Sequence, residues 1–598
     1  MSHATRRDPD VYGQRLDRLR RQLRQQTLDG FLVPRSDEHL SEYVPASAER
    51  LAWLTGFTGS AGLAVVLPDR AAAFTDGRYV LQMAKQVDGD LWEHKHITEE
   101  PPPRWLAANA PQGAKIGYDP MLISKEGLAR YLDLGFTMVA VDSNPIDAIW
   151  SERPSPPLEQ AVPHPVEYAG RPAEDKRAQI ATLLREAGQD AAVISDPACI
   201  AWLFNIRGAD VPFTPFALGF ALMHADGNAE LFMDPVKLPE ATRAWLGNAV
   251  SVSGREALAP ALSRLKGRRV RVDASGTPVW FSLFLRDAGA VVVAEPDPCL
   301  LPKACKNPVE QEGARSAHAR DAVAVCRFLR FLAERAGNGT ETEQSVAAQL
   351  LALRARAATF RGESFPAISA AGEHGAIIHY RVTDESDRTI RPNEVYLIDS
   401  GAQYVDGTTD ITRTVWTGPD VPPQALREQV TRVLKGHIAL ATLVFPRGVG
   451  GLHLDAIARR SLWQAGLDYD HGTGHGVGSY LSVHEGPVSV SRTGRPVPIE
   501  SGMILSNEPG YYLPGAYGIR LENLLLVQPA EVSASKPFLR FETLTLAPFD
   551  RRLIEANMLD ASELDWLNAY HARVAAEIGP HLDDDSRQWV ADVCRPMA

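Results

Sequence analysis

The stretch VYLIDSGAQYVDGTTDITRT, residues 395–414, holds two acidic residues inside two runs of strand-forming residues. The first run is apolar and ends near Asp399, and the second is rich in β-branched residues around Asp410. Apolar and β-branched runs of this length are typical of strands. A carboxylate inside such a run must be paired or bind a metal, because burial removes its hydration. The stretch therefore predicts a β-hairpin that buries two acids.

The position of the turn decides whether these two acids meet. A two-residue turn formed by Asp406 and Gly407 would pair Asp399 with Thr414 and leave Asp410 four residues away along the strand, about 13 Å. A shared metal site requires instead a hairpin centred near Tyr404 and Val405, or a β-bulge. The residues alone leave these registers open.

A glycine-rich segment, HGTGHGVG, follows at residues 471–478. Its four glycines exclude a stable helix, so His471 and His475 are not the helical histidine pair of the zincins. Glycines here let the backbone approach its neighbours closely, and we expect the imidazoles to point into a cavity. His484 and Glu485 follow, without the HExxH pattern. Two more candidate carboxylates, at strand or turn positions, are Glu508 in SNEPG at residues 506–510 and Glu522 in GIRLEN at residues 518–523.

Seven of the sixteen histidines lie between residues 374 and 484, which makes this part of the chain the place to look for a site. Taken singly, each candidate also has a structural interpretation. Asp399 is then a hydrogen-bonded turn acid, His475 a structural imidazole, and Glu508 or Glu522 a partner of Arg520. We assign no role to His374, His437 or His453. The sequence contains no phosphate-binding GxxxxGK[ST] loop and no GxSxG nucleophile elbow.

Taken together, the candidates make a donor set of four carboxylates and one imidazole. Such an oxygen-rich set suits Mn²⁺, Co²⁺, Fe²⁺ or Zn²⁺ and is large enough for two ions that share carboxylates. Two ions a few ångströms apart hold a bridging hydroxide against a carbonyl group, which is the chemistry of hydrolysis.

Two proline-dense stretches, residues 154–172 and 296–308, divide the chain. Proline fixes φ and removes a backbone donor, so these stretches are typical of linkers. We predict domains over residues 1–155, 165–303 and 306–598. The first two repeat one order of patterns: an amphipathic helix, a short buried strand after Asp29 or Asp190, a turn and further strands. This indicates a duplicated α/β domain. The third domain opens with a helical pattern over residues 310–334.

Composition excludes several classes of protein. With 598 residues, 45% hydrophobic and 23% charged, the chain is neither disordered nor a small disulfide scaffold. A net charge of −12 argues against nucleic acid as the main partner. No apolar run approaches the roughly 18 residues of a membrane span.

Two further features favour a cytoplasmic protein. The five cysteines are dispersed and never form CxxC, which fits a reducing compartment. Near the start, Arg6 and Arg7 suggest a targeting segment, but acidic residues interrupt the arginines and no apolar region follows. One helical face there carries Tyr12, Leu16, Leu19 and Leu23, which predicts a folded surface helix instead.

The motifs together resemble aminopeptidase P, the Xaa-Pro aminopeptidase branch of the pita-bread metallopeptidases. The resemblance covers essentially the whole chain, since the front half is similar to the two N-terminal domains of the long cytosolic form. It implies an α/β (α+β) chain in which two related N-terminal α/β domains precede a C-terminal pita-bread catalytic domain. The motifs that carry it are GAIIHY at residues 375–380, DSGAQY at 399–404, DGTTD at 406–410, HGTGHGVG at 471–478, HEGP at 484–487, NEPG at 507–510 and RLEN at 520–523.

The resemblance also implies roles for individual residues. The ligands of two divalent ions, usually Mn²⁺, match Asp399, Asp410, His475, Glu508 and Glu522, of which Asp410 and Glu522 bridge. Substrate binding and stabilisation of the tetrahedral intermediate fall to His379 and His484, and proton transfer to Glu508. His471 matches a residue that lines the proline side of the pocket, and Arg78 in TDGRY at residues 75–79 matches an arginine associated with peptide binding. Arg520 supports the metal ligands. Glu373 and His374 depart from the family pattern at the rim of the pocket.

The implied activity is hydrolysis of the first peptide bond when residue two is proline, by a hydroxide that bridges the two ions. The implied partners are such peptides and a second copy of the chain, with no role for nucleic acid or membrane. A prolidase restricted to dipeptides is the nearest alternative, and a methionine aminopeptidase fits this length less well. A binding module that kept the fold and lost catalysis is disfavoured because all five ligand positions are filled. The native metal, the peptide length limit, the preferred first residue and the physiological substrate stay open.

Overall fold

The computed structural model describes residues 9–532 and 535–598; Arg6 and Arg7 lie outside this part of the chain. The chain divides into two compact units. One comprises Met1–His164 and Arg171–Cys299, and the other comprises Pro165–Gly170 and Leu300–Ala598. The predicted domain limits, 1–155, 165–303 and 306–598, remain a prediction.

The first unit contains two six-stranded sheets. The strands of the first sheet are β1 (Gly30–Pro34), β2 (Leu63–Val66), β3 (Ala71–Thr75), β4 (Glu93–His96), β5 (Lys115–Tyr118) and β6 (Thr137–Ala140). A two-stranded ribbon of β7 (Val162–Pro163) and β9 (Ile206–Arg207) accompanies the second sheet, whose strands are β8 (Ala191–Ile194), β10 (Phe220–His224), β11 (Ala229–Phe232), β12 (Val250–Ser253), β13 (Arg269–Val272) and β14 (Val291–Ala294).

The two sheets have the same topology. Their orders are β4-β3-β2-β1-β5-β6 and β12-β11-β10-β8-β13-β14. Corresponding pairs also share their direction: β1 and β8 each lie between an antiparallel neighbour and a parallel one. This identity of order and direction supports the duplication predicted from the sequence.

Helices complete this unit, and several follow from the sequence pattern. The helices of the chain before Cys299 are α1 (Pro9–Gln25), α2 (Arg50–Thr55), α3 (Val80–Gln86), α4 (Pro102–Asn109), α5 (Lys125–Ala129), α6 (Val166–Ala169), α7 (Ala173–Glu186), α8 (Pro197–Phe204), α9 (Glu240–Leu246), α10 (Leu258–Ser263) and α11 (Val279–Asp287), of which α6 belongs to the second unit. In α1, Leu16, Leu19 and Leu23 are buried, which confirms the predicted helical face. The segments around Trp53 and Trp202 form helices α2 and α8, where a turn was expected.

The second unit begins with helices and continues into strands. Its remaining helices are α12 (Leu300–Ala304), α13 (Pro308–Arg335), α14 (Glu343–Arg354), α15 (Gln424–Ala441), α16 (Gly451–Trp463), α17 (Ala561–Ile578) and α18 (Asp584–Val593). Helix α13 confirms the predicted helix over residues 310–334. It starts where Asn307 and Glu310 form a capping box, with Pro308 in the first turn.

The strands of the second unit form three sheets and a hairpin. They are β15 (Phe360–Glu363), β16 (Ile368–Ala371), β17 (Glu394–Ser400), β18 (Ala402–Tyr404), β19 (Gly407–Thr408), β20 (Ile411–Thr417), β21 (Val444–Pro446), β22 (Gly474–Gly476), β23 (Glu485–Val490), β24 (Ile504–Asn507), β25 (Gly510–Leu513), β26 (Tyr517–Arg520), β27 (Asn523–Ala530) and β28 (Phe538–Thr543). Their orders are β15-β18-β19, β16-β17-β20, β21-β28-β27-β24-β22-β23 and β25-β26.

This arrangement confirms the predicted α/β class. In the second unit, α15 and α17 share a core with residues of β20 and β26, while α13 and α14 pack on β16 and β17. The strands that carry the candidate acids are therefore covered by helices and lose contact with water. Among the helices in the described part of the chain, none combines the length and hydropathy needed to cross a bilayer.

Candidate metal centre

The two acids of the predicted hairpin lie on one face of it. Strands β17 and β20 pair antiparallel with Asp399 opposite Thr412. Asp410 lies two residues before Thr412 in the chain. Its side chain therefore points to the same face as Asp399, at a diagonal position. Diagonal neighbours in such a pair have Cα atoms about 7–8 Å apart, within reach of two side chains that converge on one site.

The turn itself differs from both registers considered above. Tyr404 pairs with Gly407, so the turn residues are Val405 and Asp406. Packing explains the shift, because a Cβ atom on Gly407 would lie 2.9 Å from the Cβ of Ala317 in α13. Gly407 is thus needed for the close approach to a helix rather than for the turn. Asp406 is fixed by an ion pair with Arg320 of the same helix.

The other three candidate ligands come from the neighbouring sheet. His475 lies on β22, Glu508 directly follows β24, and Glu522 directly precedes β27. Asn507 pairs with Asn523, and this antiparallel register places Glu508 opposite Glu522. The backbone N–H of Glu522 donates to the carbonyl oxygen of Thr412 at 3.1 Å, which joins this sheet to the hairpin.

The ligand atoms converge. One atom each of Asp410, His475 and Glu522 lies within 4.8 Å of the other two. His475 Nε2 is 3.5 Å from Asp410 Oδ2 and 3.5 Å from Glu508 Oε1. Asp399 is joined to the cluster through Arg520, whose Nη2 donates to Asp399 Oδ2 at 2.6 Å.

Several carboxylate oxygens of the cluster have a partner and others do not. Thr412 Oγ1 donates to Glu522 Oε2 at 2.7 Å, and Ser506 Oγ donates to Glu508 Oε1 at 3.2 Å. Three buried carboxylate oxygens of the cluster have no hydrogen-bond partner among the described residues: Asp399 Oδ1, Asp410 Oδ1 and Glu522 Oε1. Buried carboxylate oxygens are normally hydrogen-bonded, paired or bound to a metal.

Electrostatics give the same picture. Burial raises the pKa of Asp399 to about 6, against the opposing charge of Arg520. Burial and the charge of Asp410 raise the pKa of Glu522 well above its usual range. Burial also raises the pKa of Glu508, although His475 opposes the shift. The fold therefore holds more negative charge here than its own cations neutralise.

The ring of His475 is oriented for ligation. Its Nδ1 lies 2.9 Å from the carbonyl oxygen of Gly476, which only accepts, so Nδ1 carries a proton and Nε2 faces the acids. Burial lowers the pKa of His475, but the hydrogen bond to Asp410 and the charge of Glu508 outweigh it and bring the pKa to about 9. A histidine whose Nδ1–H is held by a carbonyl presents Nε2 to a metal.

The predicted substrate residue His484 lies beside this ligand. Its ring centre is 4.4 Å from that of His475, with the two planes nearly perpendicular. The residue directly precedes β23, whose pairing with β22 fixes the two backbones side by side.

A chain of hydrogen bonds connects His471 to the acids. Its Nδ1 lies 2.7 Å from the carbonyl oxygen of Gly472, and its Nε2 lies 2.8 Å from the hydroxyl of Tyr512. That hydroxyl also accepts from Arg520 Nη1 at 2.6 Å. Arg520 therefore supports two neighbours at once, His471 through Tyr512 and Asp399 directly.

His379 is half-buried on the segment that follows a 3-10 turn at Gly372–Ala376. This turn packs closely on β26, since a Cβ atom on Gly518 would lie 1.7 Å from the carbonyl oxygen of Gly375. His374 has a structural partner: its Nδ1 lies 2.9 Å from Glu343 Oε1. The departure at residues 373–374 is thus accommodated by a buried glutamate.

Arg78 belongs to the first unit. Its Nε and Nη2 donate to the two carboxylate oxygens of Asp76 at 3.0 and 2.7 Å. This bidentate pair, two residues apart, holds the guanidinium in one orientation.

Sequence reasoning assigned no role to Tyr512, which contacts His471 and Arg520, or to Thr412, which contacts the candidate ligand Glu522. The first was detectable, because short runs with glycines on either side predict the hairpin of β25 and β26. In that hairpin Gly510 pairs with Arg520 and Tyr512 with Gly518, so Tyr512 and Arg520 share a face. Thr412 carries no such signal, since its partner Glu522 is 110 residues away.

The donor set fits divalent metal ions. Asp410, His475 and Glu522 converge, and Glu508 lies 3.5 Å from His475. Three carboxylate oxygens have no partner among the described residues, and burial disfavours the charged acids. Oxygen-rich sets with one histidine suit Mn²⁺ and similar ions. The number of carboxylates is sufficient for two ions that share ligands.

Comparisons with known proteins agree with this geometry. Residues 312–529 match the model of metallopeptidase family M24, and residues 537–597 match the C-terminal region of that peptidase. Residues 15–146 and 152–310 each match a creatinase/prolidase N-terminal domain.

Similar proteins extend over the full chain. Aminopeptidase P1 from Arabidopsis thaliana is 37% identical, over 96% of this chain and 97% of its own. A probable Xaa-Pro aminopeptidase P from Coccidioides posadasii is 39% identical, over 98% and 99%. The crystal structure of X-prolyl aminopeptidase from Caenorhabditis elegans, described as a cytosolic enzyme with a dinuclear active site, superposes with a TM-score of 0.93 at 32% identity and covers 100% of both chains. The chain therefore belongs to the aminopeptidase P group of metallopeptidase family M24.

Proposed function

We propose that this chain is a metal-dependent aminopeptidase that hydrolyses the bond between an N-terminal residue and a following proline. The observation that carries the proposal is the convergence of Asp410, His475 and Glu522, with Glu508 beside His475 and Asp399 on the neighbouring strand. Three carboxylate oxygens of this cluster are buried and have no partner within the described residues. Family membership adds the preference for Xaa-Pro peptides.

Two divalent ions are the proposed cofactors, with Mn²⁺ as the first choice and Co²⁺, Zn²⁺ or Fe²⁺ as alternatives that suit the same donors. Their proposed ligands are Asp399, Asp410, His475, Glu508 and Glu522, of which Asp410 and Glu522 are shared. When bound, such ions lower the pKa of water towards about 7 and polarise the carbonyl of the scissile bond.

Proton transfer is assigned to Glu508. Burial raises its pKa, which brings this carboxylate nearer to the range in which a group both accepts and releases a proton at neutral pH. Ser506 orients it through the hydrogen bond to Oε1. In the proposed reaction Glu508 takes the proton of the attacking water and delivers it to the proline nitrogen as the bond breaks.

Stabilisation of the negative charge that develops on the carbonyl oxygen is assigned to His379 and His484, which donate hydrogen bonds to that oxygen. A well-placed donor of this kind contributes roughly 3–4 kcal/mol to the transition state. The contact between the rings of His484 and His475 supports the assignment for His484.

His471 is assigned to the proline side of the pocket. Because proline lacks an N–H, the site has to recognise the shape of the ring rather than a donor. The hydrogen bond with Tyr512 fixes the plane of the His471 imidazole, so it can serve as a rigid wall. We also propose that Arg78 contributes to peptide binding, in the orientation that Asp76 imposes.

The expected partners are peptides with proline at position two and a second copy of the chain. We propose a cytoplasmic homodimer, in line with the description of the C. elegans relative as cytosolic. Sedimentation equilibrium of the metal-loaded protein tests the dimer, and a monomer at micromolar concentration would contradict it.

The activity is tested with Arg-Pro-Pro, Arg-Ala-Ala and the dipeptide Ala-Pro, each with Mn²⁺ and after chelation. Release of arginine from Arg-Pro-Pro alone, lost on chelation and restored by metal, is the expected result. Cleavage of Ala-Pro alone would identify a prolidase. No cleavage of any of the three, with Mn²⁺ or with Co²⁺, Zn²⁺ or Fe²⁺ in its place, would favour the binding module.

A variant pair ties the activity to the cluster. Asp410→Asn removes one charge from the proposed shared ligand and should abolish detectable turnover. Asp470→Asn makes the same change at a side chain that is 79% exposed and should leave turnover unchanged. Equal turnover in the two variants would show that the cluster is not the active site.

A further inference from the structure

A buried ion triad is centred on Glu485, the residue that follows His484 in the chain. Glu485 Oε1 accepts from Lys303 Nζ at 2.9 Å, and Glu485 Oε2 pairs with Lys306 Nζ. The three side chains are no more than 2% exposed. We call Lys303, Lys306 and Glu485 the Glu485 triad.

Such a triad is costly to build. Each buried ion loses several kcal/mol of hydration, and only close pairing repays this cost. One carboxylate here serves two ammonium groups, so each of its oxygens is held from a different side. Burial raises the pKa of Glu485, but the two lysine charges outweigh it and lower the pKa, so the carboxylate is ionised at neutral pH. The triad therefore holds Glu485 in one position.

The backbone around Glu485 is packed just as closely against the glycine-rich segment. A Cβ atom on Gly476 would lie 2.2 Å from the carbonyl oxygen of Glu485, and one on Gly478 would lie 3.2 Å from Glu485 Oε1. Gly476 also pairs with Glu485 across β22 and β23. Gly476 of HGTGHGVG is thus required by its contact with Glu485, whereas a Cβ atom on Gly478 would first meet the Cβ of Leu481 at 2.7 Å.

The neighbours of this contact are the two histidines of the candidate site. His475 precedes Gly476, His484 precedes Glu485, and their rings are 4.4 Å apart. The His484 ring contacts His475, while the Glu485 side chain contacts the two lysines. Anchoring Glu485 therefore fixes the backbone from which His484 extends.

We propose that Glu485 is a positioning residue that holds His484 in place through its ion pairs with Lys303 and Lys306. This inference rests on the proposed function, because it assigns the effect to the role of His484 in hydrolysis. It gives a function to an acid next to the site that is not among the proposed metal ligands.

The test is a double-mutant cycle with Arg-Pro-Pro as substrate and Mn²⁺-loaded protein. Glu485→Gln keeps the size of the side chain and removes its charge. Loss of a residue that orients a site residue typically lowers activity about 10- to 100-fold. We expect this loss in kcat, with KM changed less than about threefold, because His484 is proposed to act on charge that develops in the transition state.

The same substitution in a His484→Asn background separates positioning from general destabilisation. If Glu485 acts through His484, Glu485→Gln should lower kcat less than about threefold in that background. An equal loss in both backgrounds, or unchanged kcat in the single variant, would overturn the proposal.

Glu563→Gln is the matched control, because it removes a partly buried ion pair with Lys435 in the same unit and should keep full activity. If Glu485→Gln does not fold, Lys306→Met replaces it in the cycle, because Lys303 still pairs with Glu485 in that variant. A loss of kcat that disappears in the His484→Asn background supports the proposal, and an unchanged kcat overturns it. An inactive wild type in this assay would instead refute the proposed function, and the inference with it.

Discussion

Replacing Tyr512 by phenylalanine removes one oxygen atom that joins two parts of the candidate site. The hydroxyl accepts a hydrogen bond from Arg520 Nη1 at 2.6 Å and lies 2.8 Å from His471 Nε2. Burial raises the pKa of Tyr512 to about 12, so the hydroxyl keeps its proton at neutral pH and donates it to His471. The variant Tyr512→Phe therefore breaks both bonds and changes little in volume.

The size of the effect follows from the burial of the partners. The Arg520 side chain is 2% exposed, so water does not replace the lost hydroxyl at Nη1. Leaving a buried donor unsatisfied costs about 1–3 kcal/mol, with charged groups at the upper end. Since Arg520 also orients Asp399, and His471 loses the hydroxyl that donates to its Nε2, we take about 2–3 kcal/mol. Expressed in the transition state, this lowers kcat/KM about 30- to 150-fold.

The assay is the steady-state cleavage of Arg-Pro-Pro by Mn²⁺-loaded protein. Tyr511→Phe is the control, because it removes the same atom from the preceding residue, which points to the opposite face of β25. We expect the control to stay within about twofold of wild type, as is usual for a change that touches no site residue. A Tyr512→Phe variant as active as the control would refute the view that Arg520 and His471 are held together through this hydroxyl.

Two further predictions concern protons. Burial lowers the pKa of His571 to about 3, against about 6.5 in the unfolded chain. The unfolded state therefore binds a proton first, and stability falls as pH drops below 6.5, by about 2 kcal/mol at pH 5. The variant His571→Gln removes this pH-dependent contribution to the free energy of unfolding. The number of protons taken up on unfolding at pH 5, measured by calorimetry, should therefore decrease by about one, and an unchanged uptake would contradict the prediction. Metal loading at pH 7.5 should release at least one proton per chain, because His475 is protonated without metal and must be neutral as a ligand. Titration calorimetry in two buffers of different ionisation enthalpy measures this release, and zero release would contradict the prediction.

Local pattern was sufficient for much of the fold. The apolar run before Asp399, the helical periodicity after Pro308 and the repeated patterns of the front half each depend on neighbours within one element. The hairpin turn was not predictable in the same way. Asp406 and Gly407 form a favourable turn pair, but Gly407 is needed where the strand meets α13, so the turn moves back by one residue. Tertiary packing overrides the local preference here.

In the candidate site too, local sequence predicts one part and long-range contacts determine the other. The types of ligand and their chemistry follow from the acids and histidines in the sequence, and the structure brings Asp410, His475 and Glu522 together. The partners of the ligands do not follow, because each comes from a distant part of the chain. His437 shows this well: its carbonyl oxygen accepts from Asn507 and its ring contacts Asn523, the residues next to Glu508 and Glu522. No local feature of α15 indicates that contact.

The acids near the glycine-rich segment show why a carboxylate's role depends on long-range partners. Glu485 and Glu508 are both glutamates at strand ends, and their local sequences do not separate them. The fold supplies Glu485 with two ammonium groups from 179 and 182 residues away, and its charge is satisfied. Glu508 meets other acids, a histidine and one guanidinium that Asp399 shares. The surplus of negative charge thus remains on the side of Glu508, and there the pocket requires added cations. Glu485, on β23 beyond the intervening strand β22, serves as an anchor.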